Sequence, residues 1–166
     1  MKPTKTNAAR LLDKADISYE LISYMVDESD LSAAHVAAQL DEPVEQVFKT
    51  LVLKGNTSGY FVCIVPGDAE LDLKKAAKAT GNKSCDMIPM KDLLTVTGYV
   101  RGGCSPLGMK KRLPTFIHET CRDFDFIYIS AGLRGLQIKI APADLIRETS
   151  AETTTLVTAL GTSDEG

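Results

Sequence analysis

The chain has 166 residues and a mass of 17.9 kDa, with 44% hydrophobic and 25% charged residues, 12 glycines and 7 prolines. That composition fits one globular domain with a short appendage and excludes collagen-like, disulfide-scaffold and wholly disordered classes. The net charge of −3 argues against a bulk nucleic-acid binder, but it hides an asymmetry: between Lys74 and Arg112 nine basic residues face two acids, so this segment carries +7 and the remainder −10.

In chain order, Ala8, Leu11, Leu12 and Ala15 recur at helical spacing behind Thr4 and Thr6, either of which can cap the N-terminus. Residues 18–24 (SYELISY) read as a strand and the acidic run Asp27, Glu28, Asp30 as a loop. Ser32 caps a helix over AAHVAAQL, and Asp41 with Pro43 opens a further short turn of helix. Residues 48–54 (FKTLVLK) and 60–65 (YFVCIV), separated by GNTSG, form a β-hairpin. Asp72 caps a helix with Leu73, Ala76, Ala77 and Thr80 on its apolar face, ending at Gly81, and a second short helix covers 89–96. GYVRGGCSPLGMKKRLP is a glycine-rich loop; strands PTFIH and DFIYIS follow, then the turn SAGLRG. In the last strand Leu136, Ile138 and Ile140 alternate with Gln137 and Lys139, and Pro142 opens a helix through Thr149. A domain is expected over 1–149, with a polar, threonine-rich and partly disordered tail over 150–166. The mixed order points to an α+β or mixed α/β fold around one curved sheet.

No apolar run reaches the roughly 20 residues of a membrane span. The basic start leads directly into an amphipathic pattern, so a cytoplasmic location without a membrane partner is expected. The cysteines Cys63, Cys85, Cys104 and Cys121 contain no CxxC pair, which suits reduced thiols. His118 and Cys121 form HxxC, but a metal would need two further ligands and only Cys104 lies near in sequence, so no metal and no cofactor are expected. No Ser-His-Asp or Cys-His constellation can be read from spacing.

Lys49 shares a strand face with Leu51 and Leu53, while Phe48, Thr50 and Val52 form the other. Its ammonium either snorkels to water from the strand end or is desolvated and needs an anion or several acceptors. The loop Gly102 to Gly108 and the turn Ser130 to Gly135 either expose peptide N–H groups to an oxyanion, carboxylate or phosphate, or are tight turns at sheet edges. Cys104 is better read as a small apolar filler than as a thiolate.

The segments FKTLVL (48–53), LDLKKAAKATG (71–81), GYVRGGCSPLGMKKRLPTFI (98–117) and ISAGLRGLQIKI (129–140) jointly resemble the YbaK family of free-standing aminoacyl-tRNA deacylases, from about Lys5 to Arg147. The resemblance implies a curved, barrel-like mixed sheet surrounded by helices, related to the editing domain of prolyl-tRNA synthetases. It implies clearance of Cys-tRNA(Pro), with Cys-tRNA(Cys) as a further substrate; the alternatives are an Ala-tRNA(Pro) deacylase and, from another class, a non-catalytic tRNA- or synthetase-binding module. It carries catalytic roles onto Lys49, Gly102, Ser130 and Tyr24, and substrate contacts onto Gly103, Ser105, Gly132, Arg134 and Gln137. At Gln137 many relatives carry an acid, which puts a charged role for this position in doubt. The tRNA backbone would meet Lys74, Lys75, Lys78, Arg101, Lys110, Lys111 and Arg112. The expected partners are the aminoacylated end of tRNA and prolyl-tRNA synthetase, with no DNA. For a cysteinyl ester the family pattern implies that the substrate's own thiolate attacks the ester carbonyl.

Overall fold

A computed structural model describes residues 5–158. The helices are α1 (Asn7–Lys14), α2 (Ala33–Leu40), α3 (Leu73–Ala79), α4 (Met90–Thr97) and α5 (Pro142–Thr149). The strands are β1 (Tyr19–Ser23), β2 (Phe48–Gly55), β3 (Gly59–Pro66), β4 (Cys85–Met87), β5 (Thr115–His118), β6 (Ile127–Leu133), β7 (Leu136–Ile140) and β8 (Glu152–Thr154). The caps sit where the side chains dictate. Thr6 accepts from Ala9 N–H, Ser32 from His35 N–H, and Asp72 from Lys74 and Lys75 N–H.

The mixed α/β expectation holds, with the strands divided between two sheets instead of one closed surface. One sheet is antiparallel in the order β1-β7-β6; the other is mixed, in the order β4-β2-β3-β5-β8. A single parallel bridge, Val47 to Tyr128, joins them at the start of β2, and beyond it β2 and β6 part company. Ser130 pairs with Gln137, and the β6–β7 register slips between Ser130 and Leu133, a bulge that bends β6.

Alternation assigns the two faces of the larger sheet to different cores. Val52, Val62, Ile64 and Ile117 pack with Leu12 of α1, Leu145 of α5 and the isoleucines of β6 and β7. Leu53, Phe61, Cys63 and Val65 pack on the other face with Ala76 and Ala77 of α3. A smaller cluster joins Val36 and Ala37 of α2 to Val47 and Tyr128, where the sheets meet.

The fold continues past Thr149, where a polar tail was expected. β8 pairs in parallel with β5, Leu156 is fully buried, and Val157 bridges to Leu71. Two apolar residues suffice here because β5 offers an open edge and His118 an acceptor: Leu156 N–H donates to His118 Nδ1 at 3.1 Å. The rest of that expected tail, 159–166, lies outside the described residues.

Candidate active site

The divergence of the two sheets opens a cleft of about 530 Å³. One side is the edge of β2. Gly67 N–H donates to Val47 O, so Val47, Lys49 and Leu51 exchange hydrogen bonds with β3, and Phe48, Thr50 and Val52 direct their peptide groups the other way. β4 is so short that it meets β2 only over Leu53–Gly55, and Ile88 N–H takes Val52 O. Thr50 therefore lies on a stretch of strand edge with no strand partner, facing the cleft. Opposite stand Ser130 and Gln137, a cross-strand pair of the smaller sheet. The N-terminal end of α2, the β4–α4 segment and the loop from Arg101 to Cys104 complete the walls.

The chemistry of the walls is one-sided. Among the described residues, the charged groups lining the cleft are Lys49 and Arg101; it has no carboxylate and no histidine. Lys49 is half-buried and neither snorkels free nor lacks partners: Nζ donates to Ala69 O at 2.9 Å and Gly67 O at 3.4 Å. Burial pulls its pKa down, while Asp68 and Glu70, which bracket the accepting turn, push it back up. An ammonium has three protons, so one remains for a ligand. Gly67 lets this turn close, because a Cβ there would lie 2.2 Å from Ala33 Cβ and 2.7 Å from Val47 O.

Two buried oxygens of the cleft, Thr50 Oγ1 and Gln137 Oε1, have no hydrogen-bond partner. Gln137 is only 5% exposed, so its alternation with Leu136 and Ile138 leads not to solvent but into the cleft. Ser130 Oγ accepts from Gly132 N–H at 3.1 Å, which leaves its hydroxyl proton to donate. Cys104 lines the wall, and burial pushes its thiol up to about 12, so it is a neutral filler at physiological pH.

The sequence-predicted residues separate into three groups. Lys49, Gly102, Ser130, Gln137 and Arg101 come together in the cleft. Tyr24 lies one residue past β1, packed on the cluster containing Val36 and Val47, and is not itself on the wall. Gly103, Ser105, Gly132 and Arg134 shape the loops behind it. Gly103 N–H donates to Val100 O, and Ser105 Oγ accepts from Leu107 N–H. Gly132, at φ +105°, lets Tyr99 approach. Arg134 latches the two turns together, donating from Nε to Arg101 O at 2.8 Å and pairing with Glu28 at 3.2 Å. A Cβ on Gly102, which sits at φ +84°, would meet that latch at 3.3 Å.

The basic segment does not stay in one place. Lys74, Lys75 and Lys78 ride on α3, against one face of the larger sheet, whereas Lys110, Lys111 and Arg112 flank Leu113 of the core on the other. Lys75 Nζ is spent on Val157 O, and Arg112 on Glu148 O and Ser150 Oγ. Sequence reasoning missed Thr50, Gly67 and the methionines Met87 and Met90 of the cleft; a hydroxyl inside an apolar strand was the one available signal for Thr50.

Residues 28–148 match the model of the aminoacyl-tRNA editing domain. The chain belongs to that family. Editing domains of this kind act on aminoacyl-tRNA, and the resemblance to YbaK deacylases is borne out. A relative from Enterococcus faecalis, EbsC, provisionally named a Cys-tRNA(Pro)/Cys-tRNA(Cys) deacylase, is 45% identical over 89% of this chain and 90% of its own. A proline–tRNA ligase of Fervidobacterium nodosum is 37% identical over 48% of this chain and 14% of its own. Among solved structures, one provisionally described as a trans-editing enzyme for prolyl-tRNA synthetase superposes with a TM-score of 0.79 at 22% identity, covering 94% of this chain and all of the other. Among the described residues, no helix is long and apolar enough to cross a membrane.

Proposed function

We propose that this editing domain clears Cys-tRNA(Pro) and Cys-tRNA(Cys) in trans, and that the cysteinyl thiol of the substrate supplies the nucleophile. The observation that carries this reading is the composition of the cleft wall: two cations, no carboxylate, no histidine, and a cysteine held neutral by burial. Such a site offers charge stabilisation and positioning, but its hydroxyls, Ser130 and Thr50 among them, have no carboxylate or histidine on the wall to activate them or a water. A cysteinyl ester brings its own sulfur. Its thiolate adds to the ester carbonyl, the C–S bond forms as the C–O bond to the ribose breaks, and the departing ribose oxygen takes up a proton, leaving a cyclic thioester for water to open.

In this reading Lys49 directs its remaining N–H bond to the oxyanion or the adjoining ribose oxygen. The unpartnered Gln137 Oε1 and Thr50 Oγ1 accept from the α-ammonium, a donor-rich group for which two buried acceptors are suited. Ser130 and Gly102 hold the acyl end, and Arg101 at the mouth meets the terminal phosphate. The similarity to EbsC and to a segment of a proline–tRNA ligase supports tRNA(Pro) as the carrier and the synthetase as a partner. Cys-tRNA(Pro) and the same tRNA bearing S-methylcysteine separate this mechanism from water-based hydrolysis. The enzyme should cleave the first rapidly and leave the second at its uncatalysed rate. Equal cleavage of both would refute thiol assistance and favour an Ala-tRNA(Pro) type of deacylation.

A further inference from the structure

One apolar surface remains unaccounted for beside the cleft. Met87, Met90, Leu94 and Val100 are 46%, 61%, 53% and 46% exposed, a concentration of large apolar side chains within one short stretch. Met90 and Leu94, four residues apart, lie on one stripe of α4. Leu93 turns inward to the cleft and the core, Asp92 lies on the far side of the helix, and Lys91 lies on the outward side of the stripe. Met87 and Met90 are themselves part of the cleft mouth, so the stripe continues the site and is not a separate patch.

Cations flank the stripe on its outward side, at the end of its helix and at the cleft mouth. Lys91 follows Met90, and Lys110 Nζ reaches Thr95 O at 3.5 Å, at the end of the same helix. Arg101 stands at the mouth and takes part in no ion pair among the described residues. The nearby carboxylates Asp86 and Asp92 line a second cavity of about 390 Å³ with Lys54 and Tyr60, and Met87 borders both it and the cleft, whereas Met90 and Leu94 do not line it.

We propose that Met87, Met90 and Leu94 form a platform on which the unpaired nucleotides preceding the esterified one lay their bases, while Lys91, Arg101 and Lys110 take their phosphates. This rests on the function proposed above and adds where the polynucleotide leaves the site. A strand whose last sugar carries the acyl group in the cleft must cross its rim, where unpaired bases gain by covering exposed apolar side chains and their phosphates by meeting cations. The β4–α4 rim supplies both. In a two-fold contact between copies this face would bring Lys91, Arg101 and Lys110 against the same cations of the other copy, which disfavours a second copy as the occupant.

The test uses the full chain and two labelled RNA hairpins, one with a short unpaired 3′ extension and one blunt, with binding read by fluorescence anisotropy. Wild type should prefer the extended hairpin by about tenfold. Met90→Ser combined with Leu94→Ser should abolish that preference, change blunt-hairpin binding by less than about twofold, and leave the thermal midpoint in place because both side chains face solvent. The proposal is overturned if wild type shows no preference, if the double variant keeps it, or if both hairpins lose affinity equally. It is also overturned if wild type is a dimer that the variant dissolves, which would make the ridge a self-interface. Ester cleavage measured in parallel keeps the two readings apart. An intact 3′-end preference without cleavage defeats the deacylase and leaves the platform standing.

Discussion

Lys49 and Thr50 are consecutive residues of one strand, and although the pleat sends their side chains to opposite faces, both border the cleft that runs along the strand edge. Lys49 is anchored by the carbonyls of Gly67 and Ala69, whereas Thr50 Oγ1 has no partner and faces the cleft. A buried hydroxyl left without a partner costs about 1–3 kcal/mol, so Thr50 Oγ1 does not stabilise the fold. Thr50→Val should therefore leave the unfolding free energy unchanged or raise it by about 1 kcal/mol, while lowering single-turnover deacylation about tenfold. A variant that unfolds more easily at full activity would show that Thr50 is structural. The cation on an apolar strand made Lys49 legible in the sequence. Thr50 was not, because its access to the cleft depends on β4 ending before it, and no local pattern fixes the length of a neighbouring strand.

Among the elements, β8 shows how few groups hold a segment in place. Its pairing with β5 is reinforced by Leu156 N–H donating to His118 Nδ1, which requires that nitrogen to be unprotonated. Burial lowers the His118 pKa; Lys75 acts in the same direction, and Glu119 and Asp123 oppose. Since the folded pKa lies below the unfolded value near 6.5, this histidine contributes stability that is fully present above that pH. The contribution is lost as pH falls through the folded pKa. Denaturant midpoints taken downward from pH 7 should accordingly fall more steeply for wild type than for His118→Asn, whose side-chain carbonyl accepts the same bond without titrating. Parallel pH profiles would refute the lock. Helices and hairpins with local signals, such as Ser32 before α2, the β2–β3 turn and Pro142 opening α5, were legible from the sequence. β8 was not, because its partners are β5, Leu71 and His118, all distant in the chain, and its composition is that of a loop.

At the scale of the molecule, function comes from two sheets that touch at Val47 and Tyr128 and then separate. Strand alternation was enough to indicate a mixed α/β domain, but whether the strands close into one surface is decided by long-range pairing. The division into two sheets is what leaves a cleft between Thr50 and the Ser130–Gln137 pair. The bipolar charge is redistributed in the same way, since a basic run continuous in sequence is split across both faces of the larger sheet and only Arg101 of it lines the cleft. In the proposed function, discrimination therefore falls to the chemistry of the acyl group more than to an extended basic surface. The most direct test is single-turnover deacylation of Cys-, Ala- and Pro-tRNA(Pro) by wild type and Lys49→Ala, with and without prolyl-tRNA synthetase. The account predicts rapid loss of the cysteinyl ester alone, abolished by the substitution. Decay of all three esters at the uncatalysed rate with wild type, while tRNA still binds, would contradict it.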